Sequence, residues 1–514
     1  MKIKHLFGLA VIAAMTASCS SNEDLGTAGP GTGTNETGVG YATFTINLPS
    51  VSGTRAADAG GAEMNEGTAN EYAVKSATAL IFQKYGSDEG SCKFVESVDL
   101  PTAAADWTDD TTVGITTTKK LVAKLTNVDT NNQYYVLVLL NNNKTGGVKV
   151  PLPTVGQSYN EWNSQILTPS VDDLAADNDF YMANAPLKGT ASPTTLVTIN
   201  KENIYSSKEK AEAGTSAATV YVERGVAKMS VNDPKTKTVI DKATNNPTQS
   251  TVEFNNWALD ITNRKTYAVH NIDGLSTDFP DIWTTPRFIG TNSRVYWGKD
   301  PNYNLNNLNT GKEADREAEF NFIKATSGIN KTFAESAYCL ENTFNLANMY
   351  QGQTTRVIFK ATYAPKDDTG KSLAEPDGTF YTIGNMTTIL NETALETAVN
   401  TAATSVLPGC TVDYTTNLKQ EGSHVITLAD IKDSTGTPLV ADKDYGGKTG
   451  TKIVKEINEK LGLKAGRPEE MVGINTYLKG VTYYIARVKH FGQLTPWNSG
   501  ESYENNNALY LGRY

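Results

Sequence analysis

Two segments near the N-terminus carry residues whose chemistry can be read from type and spacing. Cys19 follows a basic start at Lys2 and Lys4, an apolar run from Leu6 to Met15, and the small residues Thr16, Ala17 and Ser18. Such a run is too short to span a bilayer as a helix, and its flanks are those of a cleaved export signal. Small residues before a cysteine suit a lipoprotein signal peptidase, because the thiol is diacylated and cleavage then frees the cysteine amine. The position three before Cys19 is Thr16, where Leu is usual. Ser20 and Ser21 follow, with no Asp to retain the product at the inner membrane, which points to the outer membrane. Acyl chains on Cys19 would anchor the chain through the transfer of their methylenes out of water. The second segment is Arg55-Ala56, which lies in a tract rich in Gly, Ala and acidic residues, Ser52 to Asn70, that a protease could enter. Together the two segments describe a precursor.

Other candidates for chemistry are sparse. His5 lies in the signal, and His270, His424 and His490 are scattered among strand-like runs without Cys, Glu or His at metal spacing. Each is expected to be structural. No Gly-x-Ser-x-Gly elbow occurs. Gly446-Gly447-Lys448-Thr449 ends like a phosphate loop but lacks the earlier glycine and the preceding apolar strand, so it reads as a turn. Leu152-Pro153-Thr154-Val155-Gly156 departs from a sortase signal at Val155. Asp109-Asp110, Asp172-Asp173 and Asp367-Asp368 lack the alternation and central Gly of a calcium loop and read as solvated loop charge. Cys92, Cys339 and Cys410 are an odd set without metal-ligand spacing; a disulfide between two of them is open in an exported chain, and buried or partly buried thiols are the expected reading. No enzyme activity, cofactor or metal is expected.

The elements that must position these residues are mostly strands. With 46 Lys and Arg against 56 Asp and Glu, the net charge is −10 and the signs are interspersed. No basic stripe appears, so nucleic acid is not an expected partner. Residues Ser20 to Val39 hold almost nothing to bury and read as a tether. Tyr41 to Leu48 then alternates apolar and polar residues at period two, a half-buried strand. Further strand-like runs are Val74 to Gln83, Phe94 to Leu100, Leu121 to Leu125, Tyr134 to Leu140, Leu196 to Ile199 and Thr219 to Val231. Val136 to Leu140 is apolar without alternation, as a strand covered on both faces would be. A second set comprises Thr251 to Ile261, Thr266 to Ile272, Arg294 to Trp297, Thr355 to Tyr363, Thr379 to Ile383, Val412 to Thr415, Val425 to Leu428 and Thr482 to Val488. Ile389 to Thr404 and Lys452 to Leu461 carry apolar residues three or four apart and read as helices inserted in the second set. This spacing predicts a mainly β chain of two antiparallel β-sandwich domains, with a boundary near Asn232 to Asn246, where Asp, Asn, Lys and Pro crowd together. The 24 tyrosines suit recognition of proteins or sugars, but the preference of Tyr for strands is the simpler account of them.

In this order and spacing the chain resembles the fimbrillin family of Bacteroidetes, on the side of the shaft subunits of short (minor) fimbriae, a type V pilus. The segments that carry the likeness include Phe180 to Ala185, Tyr221 to Lys228, Trp257 to Asn263, Arg294 to Trp297, Glu341 to Phe344, Gln353 to Val357, Tyr483 to Phe491 and Tyr510 to Tyr514. The resemblance implies two transthyretin-like β-sandwiches, residues 56–235 and 236–514, behind a signal peptide of residues 1–19 and a propeptide of residues 20–55. It implies lipidation at Cys19, export to the outer membrane, and cleavage between Arg55 and Ala56 by an Arg-specific protease. Loss of the first strand would leave a groove that accepts a strand of another subunit. The implied product is an adhesive cell-surface fimbrium, a homopolymer with accessory tip and anchor fimbrillins. Such a fimbrium meets host or bacterial surface proteins or glycans in adhesion, coaggregation and biofilm formation. The family continues beyond a Tyr-Leu-Gly-Arg-Tyr segment into a donor strand, whereas this sequence stops at Tyr514, so a shortened sequence is expected. Two rival readings remain open: a tip or anchor fimbrillin, and a surface glycan-binding lipoprotein that keeps residues 20–55.

Overall fold

The computed structural model describes residues 33–49, 68–102, 108–109, 115–189, 192–275, 292–294, 298–305, 313–344, 353–385, 388–414, 418–466, 471–488 and 509–511. The chain is mainly β, in many sheets. Six strands open it: β1 (Gly40–Pro49), β2 (Ala77–Gln83), β3 (Lys93–Leu100), β4 (Thr108–Asp109), β5 (Ile115–Leu125) and β6 (Tyr134–Leu140). The largest sheet runs in the order β3, β2, β6, Met182–Asn184, Ala218–Arg224, β1, β5, β4. Two shorter strands join it at the sides, Val197–Ile199 on β6 and Ile204–Tyr205 on β1. The β3 side of the sheet comes back to the β5 side: the Glu96 carboxylate in β3 accepts the N–H groups of Thr126 and Asn127 just beyond β5.

Alternation places Ala42, Phe44, Ile46 and Leu48 of β1 in the same cluster as Leu80 and Phe82 of β2, Leu121 and Ala123 of β5, and Val220 and Val222. Strand β6 is buried along its length except at Tyr135, as its unbroken apolar run predicts. Its second edge is shared out. Met182–Asn184 covers Leu139 and Leu140, Val197–Ile199 covers Tyr134 to Val136, and the Asn184 side chain fills the gap by accepting Val138 N–H and donating to Val136 O and Thr195 O.

The second half builds a four-stranded sheet in the order Lys237–Ile240, Pro247–Asp260, Arg356–Ala364, Val481–Arg487. The stretch expected at the domain boundary holds the first of these strands between turns capped by Asp233 and Asp241. One face packs Trp257, Val357 and Phe359 against Ala227, Met229, Ala337 and Cys339. The latter four lie on the paired strands Ala227–Ser230 and Ser336–Cys339, so chain from both sides of the expected boundary meets there. Between Arg356–Ala364 and Val481–Arg487 lies a further core. Helices Glu392–Val406 and Gly450–Lys460 bury Leu395, Val399, Ile453 and Ile457 against Ile383 and Ile474 of a three-stranded sheet. Both helices fall where the sequence spacing places them, and they build a hydrophobic cluster of their own instead of decorating the second sheet.

Three expected strands differ. Residues 266–272 form no strand: Thr266 only bridges to Leu167, and side chains satisfy the next backbone groups, Tyr181 at Ala268 O and Asn163 at Val269 N. The run Thr219 to Val231 is two strands, broken at Gly225, where an added Cβ would lie 2.5 Å from the Tyr181 ring. Around Val425 the strand is earlier, Gly422–His424, and Leu428–Asp430 is a 3-10 turn. Of Arg294 to Trp297, residue 294 is in a strand and residues 295–297 lie outside the described residues.

Candidate functional site

Cys19, Arg55 and Ala56, the predicted lipidation and cleavage residues, lie outside the described residues, as does His490. What the structure does place is the strand between Cys19 and Arg55. Strand β1 is in the interior of the sheet rather than at its edge. It pairs antiparallel with β5 from Gly40↔Leu125 to Pro49↔Ile115, and parallel with Ala218–Arg224 from Phe44↔Ala218 to Asn47↔Tyr221. Tyr41 and Ala42 also pair with Tyr205 and Ile204. Both ladders are therefore occupied along most of the strand.

Each face of β1 is held by a different kind of contact. Inward, Ala42, Phe44 and Ile46 are 0% exposed and Leu48 is 2% exposed. Burial of side chains the size of Phe, Ile and Leu contributes about 1.5–3 kcal/mol each. Outward, Thr43 Oγ1 donates to Ala211 O at 2.6 Å, Thr45 shares a hydrogen bond with Ser216 at 2.7 Å, and Thr118 Oγ1 donates to Asn47 Oδ1 at 2.6 Å. Helix Lys208–Ala213 lies over this outer face. A cleft of about 650 Å³ opens beside it, lined by Thr43, Thr45, Lys120, Val122, Lys208 and Glu212 among others. At the start of the strand Gly40 is required by close approach, since a Cβ there would lie 2.7 Å from Ile204 Cγ2.

A second constellation lies at the far end of the Ala218–Arg224 strand, and sequence reading missed it. His270 is 1% exposed, with Nδ1 2.5 Å from Glu223 and Nε2 3.0 Å from Glu341. Both carboxylates are within ion-pair distance of the ring, which carries a charge only when both of its nitrogens are protonated. Burial pushes the His270 pKa down, and the two carboxylates push it up further, so the net shift is upward. Glu341 also accepts Gly298 N–H at 2.7 Å. Next to it, Asp300 accepts Thr343 Oγ1–H at 2.9 Å and Asn302 N–H at 2.6 Å, and burial pushes its pKa up to about 7.

On the other side, Glu71 meets Lys228 Nζ at 2.7 Å and the Tyr338 hydroxyl, while Arg224 Nε donates to Glu71 O at 2.8 Å. Burial raises the Glu71 pKa, but the bonds from Lys228, Tyr338 and Thr68 outweigh it and hold the carboxyl below its ordinary value. These groups come from segments far apart in sequence, none with metal or catalytic spacing. The only local signal was charge set in apolar runs, Glu223 after Val220 and Val222, and His270 after Ala268 and Val269.

The remaining candidates are structural. His424 is partly exposed, with Nε2 3.2 Å from Gln420 O. Gly446 and Gly447 have positive φ in a turn where Gly447 N–H donates to Asp444, and Thr449 caps the helix that follows. Asp367 accepts the N–H groups of Thr369 and Lys371, and Asp173 pairs with Lys144. Of Asp109-Asp110, Asp109 ends β4 and Asp110 lies outside the described residues. Cys92, Cys339 and Cys410 are free, buried thiols, and burial pushes Cys339 up to about 12.

No protein-family model and no curated protein matches the chain. Among solved structures it is similar to the crystal structure of a fimbrial assembly protein from Parabacteroides distasonis, at 11% identity and a TM-score of 0.29, over 68% of this chain and 94% of that one. A likeness of that size transfers neither fold nor function.

Proposed function

We propose that the chain is a structural subunit of an adhesive cell-surface fimbrium. It is exported as an outer-membrane lipoprotein on Cys19, cut between Arg55 and Ala56 by an Arg-specific protease, and polymerised by donor-strand exchange. The observation that carries this reading is β1: a ten-residue strand in the interior of the sheet, with four inward side chains in the core and both ladders occupied. It stands between the acylation cysteine and the arginine. One cut after it would free both the anchor and the strand, and leave a slot with unpaired backbone on two sides and an apolar floor. Such a slot accepts an extended segment of another subunit by strand addition. Two transthyretin-like sandwiches, residues 56–235 and 236–514, are the domain organisation that goes with this reading. Accessory tip and anchor fimbrillins, and host or bacterial surface proteins or glycans, are its partners in adhesion, coaggregation and biofilm formation.

The test is N-terminal sequencing of high-molecular-weight material sheared from cells that express the full-length gene, with an Arg55→Ala variant beside it. The reading expects heat-resistant polymers that begin at Ala56, and none from the variant. Normal fibres from Arg55→Ala would sink it, and a single species still acylated at Cys19 with saturable sugar binding would replace it with a glycan-binding lipoprotein.

A further inference from the structure

Residues 263–275 cross from the second half of the chain onto the first core, where Ala268 and Val269 are buried. Their histidine has a carboxylate at each ring nitrogen. A neutral imidazole would turn a lone pair toward one of those carboxylates, so the ring that fits has both nitrogens protonated. Glu223 belongs to the Ala218–Arg224 strand and Glu341 lies just beyond the Ser336–Cys339 strand. One proton therefore joins three segments that no shared sheet connects at that point.

We propose that His270, clamped between Glu223 and Glu341, is a proton-held latch that fixes residues 263–275 and the chain after Cys339 onto the Ala218–Arg224 strand. Loss of that proton releases the junction while the separate helical core stays folded. The latch does not depend on the fimbrial reading. It touches that reading at one point, because the same strand pairs with β1 through residues 218–221.

Of the other titratable groups around the junction, Asp300 and Glu89 act in the same direction as His270, and Glu71, held below its ordinary value, acts in the opposite one. A group whose folded pKa is raised contributes stability that is complete below its unfolded pKa and is lost as pH rises through the folded value. For His270 that loss begins above about 6.5. Burial pushes Asp300 up to about 7, and Glu341 adds to the push. Glu89, which accepts the N–H groups of Thr195 and Leu196, is pushed up to about 7 by burial, with Asp273 adding. Tyr267 is raised by burial and then by Asp300 and Asp273, so it stays neutral. Lys228, Arg224, Tyr338 and Glu71 compensate one another on the far side. His270, Asp300 and Glu89 thus all favour the closed junction at lower pH, and His270 is the group among them whose two partners come from the two segments it joins.

Hydrogen–deuterium exchange of the full chain, corrected for intrinsic rates, separates this from general unfolding. Between about pH 6 and about pH 9, peptides covering residues 218–224 and 264–275 lose several-fold protection, the sign that a raised folded pKa requires. Helix Glu392–Val406 keeps its protection, since it sits in another cluster. Glu341→Gln, which keeps the side-chain shape and removes one charge, moves the midpoint of the loss to lower pH. His270→Asn removes the step above neutral pH, and if that variant does not fold, Glu341→Gln carries the test alone. Equal protection at both pH values in the wild type, an equal loss in the helix, or an unmoved midpoint in Glu341→Gln overturns the latch.

Discussion

Phe44→Ala asks most directly how β1 is held. Phe44 is 0% exposed, one of the largest fully buried side chains, and lies opposite Ala218 on one side and Leu121 on the other. Truncating a fully buried Phe costs about 3–5 kcal/mol, which combines lost transfer energy with the cavity left behind. At about 1.4 kcal/mol per tenfold, the strand's hold on its slot weakens by a hundredfold to several thousandfold. Most of that appears in the dissociation rate, because association is set by chain diffusion and by ordering of the strand. On the proposed reading, the assay treats the purified full chain with an Arg-specific protease and follows release of an N-terminal fragment ending at Arg55 by size exclusion and mass spectrometry. Thr45→Ala is the control: its hydroxyl bonds only to Ser216 on the outer face, and the loss is about 1 kcal/mol, within tenfold in rate. Release of the Phe44→Ala fragment within threefold of the wild type would refute the placement of β1 in the core.

Three further outcomes are expected. Asn184→Ala leaves Val138 N–H, Val136 O and Thr195 O without their partner in a fully buried place, and costs about 2–4 kcal/mol in urea unfolding; a loss under about 1 kcal/mol would contradict the bridging role. Gly298→Ala sets a Cβ 2.7 Å from Asn271 O, a backbone atom that cannot swing aside, and lowers the thermal midpoint by several degrees, a change of about 1–3 kcal/mol. Asp300 is raised to about 7, so its contribution is complete below about pH 4 and is lost as pH rises through about 7. Asp300→Asn removes that slope, and urea midpoints at about pH 5 and about pH 8 then differ less in the variant than in the wild type; parallel slopes would refute the assignment.

Periodicity carried most of what was legible. The alternation that buries Ala42, Phe44, Ile46 and Leu48 is visible in eight residues, and the unbroken run of β6 matches a strand covered on both sides. Apolar residues at helical spacing found both long helices to within a few residues at each end. Pattern fails where the backbone is satisfied by something other than a ladder. Residues 266–272 are apolar enough for a strand, yet Tyr181 and Asn163 take the bonds a neighbour strand would have made. Pairing partners are also invisible, because β1 meets β5 and the Ala218–Arg224 strand across long separations. The His270 cluster escaped for the same reason, since Glu223, His270 and Glu341 have no local spacing to betray them.

Strand β1 combines deep burial with a place in the connectivity that lets it leave. It is the first described strand in chain order, so no other described element hangs from its N-terminal end. Its two long neighbours each keep another partner: β5 also pairs with β4, and the Ala218–Arg224 strand also pairs with Met182–Asn184, while the two-residue strand Ile204–Tyr205 is the neighbour held to the sheet through β1. Taking β1 away would therefore split the sheet between two strands that each keep one partner. The vacated slot would impose a pattern on any replacement. Opposite Ala123, Leu121, Lys119 and Thr117 of β5 stand Ala42, Phe44, Ile46 and Leu48, so a replacement must present a small residue and then three large apolar ones at alternate positions. Between them, small hydroxyl residues must pass beneath helix Lys208–Ala213, where Thr43 now bonds to Ala211 O. A slip of one residue would turn the large side chains outward against that helix and the polar ones into the core. A synthetic peptide of β1 sequence added to the cut chain should compete with self-association, and the same peptide with Phe44 and Thr45 exchanged should not. Equal competition by the two would show that the slot reads backbone alone.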